Sequence, residues 1–244
     1  MTDLEDAFRL AHRDLPREAP GSEATTSLLL RLARRAGELP ERPHVVDLGC
    51  GTGPATVPLV RETGGTALAV DLHEPYLAAL RARADAEGLG DRVATLAADL
   101  ATLDLPDGCA DLLWSEGAAY LIGFDAALRA WRRLLAPGGV LVLTEAEWTV
   151  ATPSSPARAF WDAAYPAMRT TAGNVAAALD AGWTVAATHL LPEADWEAYY
   201  APLAASVDAL EGVSDEHRAA VSEEIDVRAR HGAEYGYTAY VLRP

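Results

Sequence analysis

The sequence contains no lysine and only two cysteines among its 244 residues. All 20 cationic side chains are therefore arginines, which excludes a lysine Schiff base and a Walker-type phosphate loop. Two cysteines, Cys50 and Cys109, are too few for the disulfide framework of a small secreted domain. The sequence also lacks a Cys-x-x-Cys pair and a histidine cluster, so we predict no metal site.

Positive charge and long apolar runs are also scarce. The 20 arginines are outnumbered by 36 acidic residues, which gives a formal net charge of −16 and a pI near 4.7. Nonspecific nucleic-acid binding depends on cations that neutralise phosphates, and an anionic membrane surface repels a protein of this charge. No stretch approaches the roughly 18 apolar residues of a transmembrane helix, and the first residues lack the apolar run of a signal peptide. We therefore expect a soluble, cytoplasmic protein with no nucleic-acid or membrane partner, and its oligomeric state stays open.

The composition is that of a globular α/β domain. Half of the residues are apolar and 23% are charged, and the length suits one domain with a sizeable core. Apolar periodicity predicts strands at 44–48, 66–70, 93–97, 110–114, 140–143, 183–190 and 235–242. It predicts helices at 24–37, 54–63, 75–87, 126–135, 155–181 and 193–231, with a short helix and a loop in residues 1–22. This alternation predicts a doubly wound, mostly parallel sheet with helices on both faces, closed by a late strand pair with helical insertions.

A glycine-rich segment follows the first predicted strand. Residues 47–53 read Asp-Leu-Gly-Cys-Gly-Thr-Gly, and glycines at alternate positions allow a sharp turn with a ligand close to the backbone. Asp71 ends the second strand 20 residues after Gly51, where a carboxylate can accept both ribose hydroxyls. Pro54 stands where a dinucleotide-binding fingerprint has its third glycine. The pattern predicts an adenosine-containing cofactor other than a dinucleotide.

Three further motifs follow in order. Residues 69–72 read Ala-Val-Asp-Leu, residues 98–100 read Ala-Asp-Leu, and residues 134–139 read Leu-Leu-Ala-Pro-Gly-Gly. Together with residues 47–53 they resemble the class I S-adenosylmethionine-dependent methyltransferases, strongly over about 40–145. The resemblance implies S-adenosylmethionine as cofactor and a Rossmann-like, seven-stranded sheet whose last strand is antiparallel. It also implies an adenine contact at residues 98–100.

The segment after strand four carries a closer resemblance. Residues 114–120 read Trp-Ser-Glu-Gly-Ala-Ala-Tyr and resemble a bacterial branch of small-molecule methyltransferases, as do residues 20–22, 162–166 and 199–202. This similarity names no substrate. It implies one methyltransferase domain over 1–244, with an N-terminal helical or lid segment at 1–39, a cofactor-binding core at 40–146, substrate-covering helical insertions around strand six at 147–234, and a last strand at 235–244.

These patterns and resemblances give three groups of candidate residues. The cofactor-binding candidates are Asp47, Gly49, Cys50, Gly51, Gly53, Asp71, Leu72, Asp99, Leu100 and Ser115. The substrate-binding candidates are Glu145, Trp148, Tyr165 and Tyr200. The last three belong to eight aromatic residues within 148–200, which form either the core of the inserted helices or an apolar, cation-binding wall over a small-molecule substrate. The catalytic candidates are Glu116 and Tyr120.

Glu116 has several possible roles. It follows strand four, where a parallel sheet presents its chemistry, so it could act as a base or anchor an amine substrate. It could instead cap the turn at 117–120 or help to seat the amino group of the cofactor. We expect methyl transfer to nitrogen or oxygen of a small molecule, with an amine favoured. The alternatives are a non-catalytic S-adenosylmethionine-binding regulator and an enzyme that uses the same fold for another S-adenosylmethionine reaction.

Overall fold

The computed structural model describes residue 7, residues 10–12 and residues 15–244. Most of the short helix predicted in residues 1–22 lies outside the described residues. Within the described part of the chain, no helix combines the length and the apolar character that a membrane span requires.

A single mixed sheet forms the centre of the molecule. Its strands are β1 (His44–Leu48), β2 (Thr66–Asp71), β3 (Val93–Ala97), β4 (Ala110–Ser115), β5 (Leu135–Trp148), β6 (Arg169–Thr170), β7 (Thr184–Leu190) and β8 (Tyr235–Arg243). The strand order is β3-β2-β1-β4-β5-β8-β7, and the two-residue β6 pairs with the end of β5. Among the strands of the described residues, β8 alone runs opposite to the others, and it pairs antiparallel with β5 and β7. The predicted fold class, a doubly wound and mostly parallel sheet, is confirmed.

Helices cover both faces of this sheet. They are α1 (Glu23–Ala36), α2 (Thr56–Thr63), α3 (Glu74–Ala86), α4 (Phe124–Trp131), α5 (Ser155–Ala164), α6 (Thr171–Asp180), α7 (Glu193–Asp208) and α8 (Asp215–His231). One core cluster packs α1, α2 and α3 against the sheet, and a second packs α4 and α6 against the opposite face. Because β1 and β4 are buried on both sides, they consist of almost continuous apolar residues.

The two long predicted helices are each divided. Residues 155–181 form α5 and α6 because Pro166 disfavours helical geometry at Tyr165, after which β6 pairs with β5. Residues 193–231 form α7 and α8, separated by a turn in which Gly212 has a φ of 71°. The Ser214 hydroxyl caps α8 by accepting from the His217 N–H. The predictions of uninterrupted helices were wrong at these two breaks.

Strand β5 is much longer than the predicted 140–143. Its second half pairs with β8, from Leu141 opposite Leu242 to Trp148 opposite Tyr235. Glu145 and Glu147 therefore lie within a buried strand, and not in a loop after it. This extension carries β5 beyond the end of β4 at Ser115, toward the edge where the glycine-rich segment lies.

Candidate ligand-binding site

The glycine-rich segment makes a tight turn between β1 and α2. Gly49 has a φ of 74°, and its N–H donates to the Val70 carbonyl at 2.8 Å. A Cβ atom on Gly49 would lie 2.3 Å from the Ala118 side chain, and one on Gly53 would lie 2.1 Å from Leu80 Cδ1. These two glycines therefore let the turn pack closely against the segment after β4 and against α3.

Asp71 fixes this turn from the end of β2. Its Oδ2 accepts from the Gly51 N–H and its Oδ1 accepts from the His73 N–H, both at 2.9 Å. A carboxylate has about four lone-pair positions, so each oxygen keeps capacity for a ligand hydroxyl. Asp71 lines the cavity described below.

Asp47 is the buried acid of the turn. It is 2% exposed, and its Oδ2 accepts from the Thr56 hydroxyl at 2.5 Å. Burial raises the pKa of Asp47 to about 7, the Thr56 hydrogen bond opposes this shift, and the negative charges of Glu116 and Asp71 add to it. A cationic ligand group beside Asp47 would return it to its charged form.

The ends of β2 and β3 present an apolar surface beside an acid. Leu72 is 62% exposed, an unusual position for a large apolar side chain, and it lines the same cavity as Leu100. The exposed Asp99 lies next to Leu100, and its Oδ1 accepts from the Ala101 N–H at 2.8 Å. This surface could hold a flat, partly polar ring.

A cavity of about 1880 Å³ lies over the carboxyl ends of the parallel strands. Twelve predicted site residues line it: Asp47, Gly49, Cys50, Gly51, Asp71, Leu72, Asp99, Leu100, Glu116, Tyr120, Tyr165 and Tyr200. Residues 15–20 line it from the N-terminal segment. The volume exceeds the 300–1,000 Å³ of an ordinary single-ligand pocket, so the cavity could hold two ligands side by side.

Both oxygens of Glu116 accept from protein donors. Its Oε2 forms an ion pair with Arg17, and its Oε1 accepts from the Thr26 hydroxyl at 2.8 Å and from Trp114 Nε1 at 2.9 Å. The Arg17 and Glu116 side chains are only about a tenth exposed. The carboxylate connects the N-terminal segment to the end of β4.

Asp195 of α7 provides a second connection to the N-terminal segment. Its carboxylate accepts from the Thr25 hydroxyl at 2.6 Å, and its carbonyl accepts from the Gly21 N–H at 3.2 Å. Asp195 is 1% exposed. Together with Glu116, it anchors the N-terminal segment, of which residues 15–20 line the cavity.

Glu145 is a buried acid with an unused oxygen. It is 2% exposed, its Oε1 accepts from the Ala146 N–H at 3.2 Å, and its Oε2 has no partner that satisfies hydrogen-bond geometry. Burial raises the pKa of Glu145 to about 8, and the neighbouring Tyr165 hydroxyl opposes this shift. Tyr165 lines the cavity and makes an edge contact with Tyr120, at 6.1 Å between ring centroids.

Four predicted site residues are not brought to the cavity wall. The Ser115 hydroxyl is buried and donates to the Leu48 carbonyl at 2.9 Å, so it joins two strands. Trp148 is 4% exposed, with Arg158 over its ring at 5.0 Å. Gly53 packs against Leu80, and Glu145 neighbours Tyr165.

Sequence reasoning missed several residues of the wall. Arg17, Tyr237 and Glu224 come from three distant parts of the chain and carry no local motif. The sequence offered one signal for Arg17. Glu116 follows a buried strand, and a buried carboxylate needs a cationic or hydrogen-bonding partner.

The described residues contain no group of three or more His, Cys, Asp or Glu side chains that could hold a metal ion. Both cysteines are free, and burial raises the pKa of the Cys50 thiol, which makes it a poor nucleophile.

Comparison with known proteins gives a family match for the centre of the chain. Residues 45–139 match the family model described as a methyltransferase domain. Methyltransferase GfsG of Streptomyces halstedii is 33% identical over 131 residues, which are 53% of this chain and 45% of that protein. Demethylmenaquinone methyltransferase of Thermus thermophilus is 37% identical over 123 residues, which are 48% of this chain and 54% of that protein. The chain thus spans about half the length of these curated relatives.

Solved structures share the fold over the whole chain. A methyltransferase from Geobacter sulfurreducens, in complex with S-adenosylhomocysteine, superposes with a TM-score of 0.85 at 21% identity and covers 100% of both chains. A methyltransferase from Thiobacillus denitrificans, also in complex with S-adenosylhomocysteine, gives a TM-score of 0.82 at 22% identity and covers 100% of this chain and 98% of that one. At this identity the likeness establishes the fold alone.

Proposed function

We propose that the protein is an S-adenosylmethionine-dependent methyltransferase that transfers a methyl group to nitrogen or oxygen of a small molecule, with an amine favoured. The observation that carries the proposal is one continuous cavity with two chemically different ends. The glycine-rich turn, Asp71 and Asp99 line one end, and aromatic side chains line the other.

The residues at the first end fit the parts of S-adenosylmethionine. Asp71 keeps free lone pairs for the ribose hydroxyls, and the apolar surface of Leu72 and Leu100 suits the adenine ring. Asp99 adds an acceptor for the exocyclic amine of that ring. The buried Asp47 would gain a favourable partner in the ammonium group of the amino-acid part.

The bound cofactor supplies a methyl group on a positively charged sulfur. The protein must align the accepting atom with this methyl group and exclude water, since orientation is the main source of catalysis in such a displacement. The N-terminal segment, anchored by Glu116 and Asp195 and lining the cavity with residues 15–20, would serve the second requirement.

In this proposal Glu145, and not Glu116, accepts a proton from the substrate. An amine must be neutral when it attacks, and an acid with a pKa near 8 and an unpartnered oxygen suits general-base work at neutral pH. Tyr165 lines the cavity and neighbours Glu145, which does not, so the proton would pass through the Tyr165 hydroxyl or through water. Glu116 keeps a positioning role.

A titration by calorimetry tests the cofactor assignment. The wild-type protein should bind S-adenosylmethionine and S-adenosylhomocysteine and should not bind NAD, because Pro54 replaces the third fingerprint glycine. Binding of NAD, or no binding of S-adenosylhomocysteine, would overturn the assignment.

A second candidate function is another reaction on the same fold. A structure described as the [4+2]-cyclase SpnF superposes with a TM-score of 0.71 at 22% identity over 93% of this chain. Product analysis by mass separates the candidates, because only methyl transfer yields a product one methyl group heavier together with S-adenosylhomocysteine. A protein that binds the cofactor and transfers no methyl group to any of a broad substrate panel would instead be a regulator.

A further inference from the structure

The second end of the cavity is rich in tyrosine. We call it the tyrosine-rich end, and it consists of Tyr120, Phe160, Trp161, Tyr165, Trp196, Tyr199, Tyr200 and Tyr237. These rings come from the turn after β4, from α5 and its end, from α7 and from β8. Ring faces carry partial negative charge, so several rings around one space attract a cation.

Glu224 of α8 lies on the wall of this end. Its side chain is 22% exposed, and its Oε1 accepts from the Tyr199 hydroxyl at 3.4 Å and lies 3.6 Å from His12 Nε2. Both contacts use the same oxygen, which leaves the second carboxylate oxygen for a ligand.

The negative charge of Glu224 affects the pKa values of the surrounding tyrosines. Burial raises the pKa of Tyr120, Tyr199, Tyr200 and Tyr237, and the negative charge of Glu224 raises each of them further. These hydroxyls therefore stay neutral at physiological pH. The end presents the Glu224 carboxylate, with His12 beside it, among uncharged rings.

None of the arginines that the structure describes offsets this negative charge. The two arginines on the described cavity wall are Arg17, paired with Glu116, and Arg83, which lies 3.8 Å from Glu87. Arg228 lies over Trp196 at 3.9 Å from the ring centroid, but it is paired with Glu193 and does not line the cavity. Among the residues that the structure describes, no free guanidinium is offered to an anionic substrate at this end.

We infer that Glu224 and the tyrosine-rich end bind an ammonium group of the substrate, which places the substrate in the alkylammonium class. The carboxylate supplies the counter-charge, and the rings of Tyr199, Tyr200 and Tyr237 supply cation–π contacts. This inference rests on the proposed function, because it names the substrate class for the same cavity.

The test uses choline and its uncharged isostere, in which a tert-butyl group replaces the trimethylammonium group. Calorimetry in saturating S-adenosylhomocysteine compares wild type, Glu224→Gln and Glu223→Gln. Glu223 is the matched control, because it is on the same helix but lines a separate groove between α5 and α8. Wild type and Glu223→Gln should prefer choline by about tenfold or more, and Glu224→Gln should lose most of this preference.

Equal binding of the two probes by wild type, or an unchanged preference in Glu224→Gln, overturns the inference. Should Glu224→Gln fail to fold, Tyr200→Phe and Tyr200→Leu replace it: the phenylalanine variant should keep the preference for choline and the leucine variant should lose most of it. Equal preferences in those two variants also overturn it. The S-adenosylhomocysteine titration is separate, so its failure contradicts the proposed function and not the cation site.

Discussion

The sequence predicts the role of some acids in the cavity but not the contacts of others. Asp71 follows a strand end at a fixed distance from the glycine turn, so local spacing was enough to select it. Glu116 was selected as a catalytic candidate, yet its environment depends on Arg17, 99 residues away in sequence. No local pattern reports a contact of that separation, and the structure favours a positioning role over a base.

Replacement of Asp71 tests the ribose assignment at the residue scale. Asp71→Ala should weaken binding of S-adenosylhomocysteine by about 1.5–3 kcal/mol, the usual contribution of hydrogen bonds to a charged group. The exposed Asp91, outside the cavity wall, supplies the control Asp91→Ala. Equal affinities for wild type and Asp71→Ala, measured by calorimetry, would show that Asp71 does not bind the ribose.

The pKa of Glu145 predicts a pH effect on stability. Its pKa is raised from 4.5 to about 8 in the folded protein, so between these values the folded state binds more protons than the unfolded state. The free energy of unfolding should then fall as pH rises from about 4.5 to 8. Denaturant titrations of wild type and Glu145→Gln should show a shallower fall in the variant; parallel curves would contradict a raised pKa of the buried Glu145.

At the scale of elements, the sequence predicted the alternation of strands and helices because each element buries a face with its own periodicity. It missed the second half of β5, which exists because β8 pairs with it over residues 141–148. It also missed the breaks at Tyr165 and Gly212, where one proline and one glycine turn interrupt otherwise helical composition. A short stretch of sequence does not reveal whether a strand will pair with a strand that is distant in the chain.

The connection between Glu116 and Arg17 predicts coupling between elements. Breaking a buried pair leaves an uncompensated charge, so a double-mutant cycle of Arg17→Met and Glu116→Gln should give an interaction free energy above about 1 kcal/mol. Unfolding titrations supply the four free energies. Additivity within about 0.3–0.5 kcal/mol would mean that the two side chains act independently.

The same connection predicts where ligands order the chain. Residues 15–20 and side chains of α7 line the cavity, and Asp195 joins α7 to Gly21 and Thr25, so amide hydrogen exchange in residues 15–26 and in α7 should slow when S-adenosylhomocysteine and an amine substrate bind together. The Arg17→Met variant should lose this protection at 15–26. Protection confined to residues 47–100 in wild type would show that the N-terminal segment does not respond to ligands.

At the scale of the whole molecule, the acidic net charge and the tyrosine-rich end favour the same class of substrate. A chain with formal charge −16 repels anions at long range, and its cavity has an acid among neutral rings. The motifs at residues 47–53, 69–72 and 98–100 indicated the cofactor end, but the substrate end is assembled from distant parts of the chain, among them Tyr120, Tyr165, Tyr200, Glu224 and Tyr237. That assembly depends on tertiary structure, which is why composition alone left the substrate class open.

The most direct test of the account is methyl transfer itself. The wild-type protein is incubated with S-adenosylmethionine carrying an isotopically labelled methyl group and with a panel of small amines, alcohols and carboxylates, and the products are separated by mass. The account predicts label on nitrogen of at least one amine, with S-adenosylhomocysteine formed in equal amount, and no labelled product from the carboxylates. Labelled carboxylates with unlabelled amines, or cofactor binding without any labelled product, would contradict it.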